Sequence, residues 1–108
     1  MMRSMLGGLV SVLALAAQPA AAADSEAAKG RELAQALCAS CHLNDGQGEK
    51  QGPMGVPGFV AVANRPLQSV EGIVLWLKSV PPMMPNHRLT QDEMFALAAY
   101  IMTLREER

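Results

Sequence analysis

Both cysteines of the chain lie in one short segment, Cys38-x-x-Cys41-His42, and this segment constrains the fold more than any other. Cys-x-x-Cys followed directly by His is the attachment motif for haem c, which is bound through both thiols. Residues three apart on a helical turn share a face, so two thiols can reach two vinyl groups of one porphyrin. His42 then lies next to the iron as its first axial ligand. A chain with this motif is expected to fold around one covalently bound haem.

Three other interpretations of the same residues are a plain disulfide, a thioredoxin-like dithiol and part of a zinc site. A four-ligand zinc site needs two more Cys or His ligands, and His87 is the only one left in the chain. A thioredoxin-like dithiol should follow a β-strand, whereas the residues before Cys38 have a helical pattern. Covalent haem is therefore favoured, with a redox dithiol or a disulfide as the alternatives.

The N-terminal segment has the order of an export signal. Arg3 is followed by an apolar stretch at 6–17 and then by small residues that end in alanines at 21–23, an order typical of a signal peptide and its cleavage site. As a helix this stretch would be about 18 Å long, well short of a hydrocarbon core of about 30 Å. We expect a cleavable signal peptide over 1–23, one domain over 24–108 and no permanent membrane span; an uncleaved anchor is the alternative.

Composition limits the remaining classes of function. With 108 residues, nine Lys and Arg, ten Asp and Glu and a formal net charge of -1, the chain has room for one domain and no basic excess that would indicate nucleic acid binding. Aromatic residues make up only 4%, so a domain this small needs a cofactor or cross-link to complete its core. No pair of carboxylates or nucleophile constellation indicates an enzyme. A monomeric, non-enzymatic protein is expected.

The hydrophobic pattern predicts an all-α domain. Ser25 is expected to cap a first helix that leads into the cysteine motif. A middle helix is predicted over 70–78, with Ser69 as its N-cap and the prolines at 81–82 as its stop. Trp76 on this helix is interpreted as a core residue in preference to a hydrogen-bonding partner of a haem propionate.

The last helix has the best-defined start of the predicted helices. Glycines mark two further features, a loop before the middle helix and a close contact of the first helix. Thr90 and Glu93 predict a capping box, and apolar residues follow at helical spacing as far as Leu104. The segment 43–58 is rich in Gly and Pro, which predicts an irregular loop. Gly30 lies inside the first helix, where glycine costs about 1 kcal/mol relative to alanine, so it is expected to allow close packing.

Together these features resemble the class I cytochromes c, specifically the small soluble monohaem proteins of bacteria, over residues 24–108. Gly30 stands where that family has a small residue at the crossing of the first and last helices, and 97–104 is similar to its Leu-x-x-Tyr-Ile-x-x-Leu pattern. The resemblance implies the cytochrome c fold, with three to four short helices wrapped around one haem c. It also implies that the carbonyl of Pro53 accepts a hydrogen bond from the free ring N–H of His42.

The resemblance further implies that a methionine is the second axial ligand of the iron. Of the five methionines after the predicted signal peptide, two lie on the predicted last helix, where core packing is the commoner role, and three lie in loops: Met54, Met83 and Met84. By analogy with the family, Met54 lies on the His42 side of the haem and Met84, which precedes a proline, lies in the ligand loop. We therefore expect Met84 to bind the iron, with Met83 or His87 as alternatives.

The implied function is a periplasmic carrier of single electrons. Histidine and methionine ligation leaves no open iron position for oxygen and favours simple electron exchange. The donor would be a dehydrogenase or a quinol-oxidising complex, and the acceptor an oxidase or a reductase. One alternative is a subunit through which electrons enter a specific oxidoreductase complex. Another is a haem-based gas sensor, which would need a vacant or weakly held sixth position.

Overall fold

The computed structural model describes residues 18–44, 50–79 and 83–105. These residues form four α-helices: α1 (Gln18–Leu37), α2 (Phe59–Ala63), α3 (Val70–Lys78) and α4 (Gln91–Thr103). The loop between α1 and α2 contains a 3-10 turn at Pro53–Gly55 and an isolated bridge between Gln51 and Pro57. Within the described ranges no residue belongs to a β-strand. The predicted all-α architecture is confirmed.

The first helix begins before its predicted start. Ser25 lies inside α1, so the prediction that it caps this helix is wrong. The residues before it explain the difference, because Pro19 suits the first turn of a helix and the alanines at 20–23 have the highest helix propensity. The first 17 residues of the predicted signal peptide lie outside the described residues. No helix in the described ranges combines the length and the apolar character needed to cross a bilayer.

Helices α3 and α4 begin where the sequence predicts, and each is capped by the side chain of the residue before it. Ser69 accepts a hydrogen bond from the backbone N–H of Gly72 at 3.0 Å and caps α3. Thr90 accepts one from the N–H of Glu93 at 3.1 Å, and the Glu93 carboxylate accepts one from the N–H of Thr90 at 2.8 Å. The prolines that were predicted to end α3 lie outside the described residues.

The core is built on α4, which contacts α1, α2 and α3. Its closest approach is to α1, where a Cβ built on Gly30 would overlap the Ala96 carbonyl and lie 2.9 Å from the Cβ of Tyr100. Only glycine therefore permits this crossing. The other helices complete one buried cluster, which consists of Ala34, Phe59, Val60, Ala63, Ile73, Val74, Leu97, Ala98, Tyr100, Ile101 and Leu104.

Arg105, just after α4, forms hydrogen bonds to the backbone at both ends of the loop between α2 and α3. The guanidinium of Arg105 donates to the carbonyls of Ala63 at 3.4 Å and Gln68 at 3.2 Å. Gln68 in turn donates to the carbonyl of Val62 at 3.1 Å. These bonds hold the loop at 64–69 beside the cavity described below.

Candidate cofactor site

One apolar cavity of about 220 Å³ lies between the cysteine motif, α2, α3, α4 and the segment that precedes α4. Cys38, His42 and Met84 all contribute to its wall. The structure thus brings three of the residues singled out in the sequence to one cavity. Most of the remaining wall is hydrophobic and is formed by Pro57, Phe59, Val62, Ile73, Leu77, Leu97 and Ile101.

The cysteine motif continues the backbone hydrogen bonding of α1 beyond its last helical residue. The N–H of Cys38 donates to the Ala34 carbonyl at 2.9 Å, and the N–H of His42 donates to the Cys38 carbonyl at 2.8 Å. This turn places Cys38, partly buried, on the cavity wall and leaves Cys41 exposed. The two thiols were expected to share a face, and of the two only Cys38 lies on the cavity wall.

Cys38 and Cys41 are not joined in a disulfide, and the surroundings of Cys38 on the cavity wall are mostly apolar. Burial raises the pKa of the Cys38 thiol to about 11. Redox-active dithiols depend on the opposite shift, because the thiolate is the nucleophile. The site therefore gives no support to the interpretation as a thioredoxin-like dithiol.

His42 is buried, with 8% of its surface exposed, and its ring is held by one hydrogen bond. Its Nδ1 lies 2.7 Å from the carbonyl oxygen of Pro57. Because a carbonyl can only accept, Nδ1 must carry the proton, and the lone pair of Nε2 is left for a metal. This arrangement is the one that fixes the tautomer of a metal-binding histidine.

The acceptor of that hydrogen bond was predicted to be Pro53, and this prediction is wrong. The Pro53 carbonyl instead accepts from the N–H of Val56 at 3.1 Å, within the turn that follows it. The turn reverses the chain and brings Pro57 to the histidine. Two prolines stand four residues apart in this loop, and only the path of the turn decides which one faces His42.

The same loop passes close behind the cysteine motif. A Cβ built on Gly52 would overlap the carbonyl of Cys41, so glycine is required for this approach. Met54, at the tip of the turn, has a φ of 60° and is 88% exposed. It is not part of the cavity wall.

The structure separates the two adjacent methionines that the sequence left as a pair. Met84 is half-buried on the cavity wall, whereas Met83 is 89% exposed. Met94 and Met102 pack against the core from α4, as predicted. His87 lies beside a smaller pocket that Met84 also lines, and it does not line the main cavity.

Polar residues on the cavity wall were not identified from the sequence. Arg65 and Gln68 lie there because the loop at 64–69 is held against α4. Trp76 is also on the wall and is not part of the buried cluster. It shares the cavity-facing side of α3 with Ile73 and Leu77. An isolated Arg or Gln in a loop gives no sequence signal for such a position.

The set of donor atoms on this wall fits haem c. An imidazole Nε2 and a thioether sulfur suit an iron porphyrin, and an apolar cavity suits the porphyrin ring. Cys38 lies on the wall, and Cys41 follows it in the same hydrogen-bonded turn. In contrast, no group of three or more His, Cys, Asp and Glu side chains within the described residues could hold a bare metal ion.

Comparison with known proteins agrees with this fit. A family model described as Cytochrome c matches residues 27–105. Among curated proteins, the chain is similar to cytochrome c-552 of Bradyrhizobium diazoefficiens, with 38% identity over 100 residues that cover 93% of this chain and 95% of the relative. No solved structure matches the chain at a significant level.

Proposed function

The chain belongs to the cytochrome c family, and on that basis we propose that it is a periplasmic carrier of single electrons with His42 and Met84 as the axial ligands of its haem iron. Covalently bound haem c follows from the family. The observation that carries the ligand assignment is the position of His42 and Met84 on the wall of one apolar cavity that also contains Cys38.

Each residue of the site has a separate task in this proposal. Cys38 and Cys41 hold the haem through thioether bonds, and the haem supplies reversible one-electron chemistry when bound. The Pro57 carbonyl keeps the proton of His42 on Nδ1, which leaves Nε2 for the iron. The apolar wall excludes water, and a methionine ligand raises the reduction potential.

An electron carrier fits the site better than a sensor or an enzyme. With both axial positions taken by protein ligands, no iron position is open for a gas or a substrate. Besides Cys38 and His42, which the haem would engage, the polar side chains on the wall are Arg65, Gln68 and Trp76, and none of these three is a nucleophile or a general base. A subunit through which electrons enter a specific oxidoreductase complex would use the same site and would differ by a stable interface.

Redox partners of a carrier must approach the region around the cavity. Leu67 and Met83, which are adjacent in sequence to the wall residues Gln68 and Met84, are 96% and 89% exposed. With a net charge of -1, strong electrostatic steering is not expected. We propose weak, largely apolar contact with a periplasmic dehydrogenase or quinol-oxidising complex as donor and an oxidase or reductase as acceptor.

The first expected result concerns the covalent bond to haem. When the chain is exported from cells with haem-attachment machinery, the mature protein should gain the mass of one haem, and acid-acetone extraction should leave that mass in place. The double variant Cys38→Ala/Cys41→Ala should lose it completely, because no thioether can form. Mass spectrometry of both proteins is the measurement. An unmodified mass for the wild type would contradict the central claim.

The second expected result concerns export. The small residues at 21–23 favour cleavage before Asp24. N-terminal sequencing of the protein from its native source should therefore begin at Asp24, and the protein should be released with the periplasmic fraction. A sequence that begins at Met1, with the protein in the membrane fraction, would instead support an uncleaved anchor.

A further inference from the structure

We propose that Phe59 is a positioning residue that sets the plane of the His42 ring, an inference that rests on the proposed ligation of the iron by His42. The two rings are stacked, with centroids 4.8 Å apart and planes inclined by 17°. Both residues are buried, with 8% of His42 and 5% of Phe59 exposed. Neither ring can therefore move without displacing the other.

The hydrogen bond to Pro57 does not by itself fix the orientation of the histidine. It restrains one ring atom, Nδ1, and hydrogen bonds to carbonyl oxygens tolerate a broad range of directions. The imidazole plane could still tilt about that atom. A parallel aromatic ring against its face removes this freedom, because any large tilt would bring the His42 ring into the Phe59 ring.

Phe59 can act in this way because it is itself held from several sides. Its backbone N–H donates to the carbonyl of Leu43, the residue after His42, at 2.7 Å. The edge of its ring meets the ring of Tyr100 on α4, with centroids 6.4 Å apart and planes inclined by 81°. The residue before it, Gly58, passes so close to Lys50 that an added Cβ would lie 2.6 Å from the Lys50 carbonyl.

Two features of one short segment thus hold the histidine in complementary ways. Pro57 sets the tautomer and the position of one edge, and Phe59 sets the plane. The packing connects α4 to the proposed iron ligand through Tyr100 and Phe59. Because the plane of an axial imidazole directs the distribution of unpaired spin over a ferric haem, a change in that plane has a spectroscopic signature that loss of stability alone does not have.

The test compares ferric holoprotein carrying Phe59→Leu with the wild type by proton NMR of the haem methyl groups. Leucine keeps most of the apolar volume but removes the flat face. We expect the pattern of methyl shifts to be redistributed, and Phe59→Tyr, which keeps an aromatic ring, to restore the wild-type pattern. Phe95→Leu is the matched control, because Phe95 packs against the same core but does not line the cavity. If Phe59→Leu does not accumulate, Phe59→Met provides the same comparison.

The outcomes separate this inference from the proposed function. If ferrous wild-type protein lacks the strongly upfield ring protons of an iron-bound imidazole at His42, the ligation itself is wrong. If His42 is bound but Phe59→Leu keeps the wild-type methyl pattern, or changes it no more than Phe95→Leu does, the positioning role is wrong. A nuclear Overhauser effect between the rings of Phe59 and His42 in the ferrous wild type is expected, and its absence would also overturn the inference.

Discussion

Replacing Gly30 by valine is expected to prevent stable folding of the domain. A Cβ at this position would overlap the Ala96 carbonyl, and backbone atoms cannot move aside as a flexible side chain can. Even Gly30→Ala should be destabilising, although alanine is better than glycine inside a helix by about 1 kcal/mol. Overpacking typically costs about 1–3 kcal/mol, and valine adds branches that enlarge the conflict. A small domain has only about 5–15 kcal/mol of stability in total.

Denaturant unfolding of the holoprotein, with the yield of folded protein, measures this effect. Ala28→Val is the matched control, since Ala28 lies on the exposed side of α1 and its replacement tests only the helix propensity of valine. The control should stay within about 1 kcal/mol of the wild type. If Gly30→Val were as stable as Ala28→Val, the close crossing of α1 and α4 would be wrong.

The second large effect is expected for Met84→Ala. If the Met84 sulfur binds the iron, its removal should abolish the methionine-to-iron charge-transfer band and lower the reduction potential by roughly a tenth of a volt or more, within the range of about 0.8 V that axial ligands control. The variant should also gain carbon monoxide binding, because the sixth position opens. Absorption spectra and potentiometric titration at neutral pH are the measurements.

Met83→Ala is the control for this experiment. Met83 is the neighbouring methionine, and it is 89% exposed and absent from the cavity wall. Its replacement should leave the band and the potential nearly unchanged. The reverse pattern would assign the ligand to Met83, and no effect from either substitution would point to His87.

The features of this fold that could be predicted from the sequence are those determined by residues close together in the chain. The caps Ser69 and Thr90 each bond to a backbone N–H three residues on, so their role can be read from a few neighbouring residues. The crossing at Gly30 could be expected because glycine inside a helix is unfavourable unless close packing requires it. The cysteine motif can be recognised as a haem-attachment motif from its spacing alone.

The parts that were missed depend on the path of the chain in three dimensions. Pro53 and Pro57 are similar in sequence context, and only the turn between them brings Pro57 to His42. Ser25 could cap a helix in isolation, but in the unprocessed chain the alanines before it extend α1. The stacking of Phe59 on His42 joins residues from different elements, so no local pattern predicts it.

The crossing of α1 and α4 also has a consequence for the order of events during biogenesis. The helices that meet at Gly30 and Ala96 come from opposite ends of the domain, so α1 and α4 cannot pack together until the last part of the chain has been synthesised. Cys38, Cys41 and His42 emerge well before α4 does. The motif is therefore accessible to the enzymes that attach haem before α4 can pack against α1.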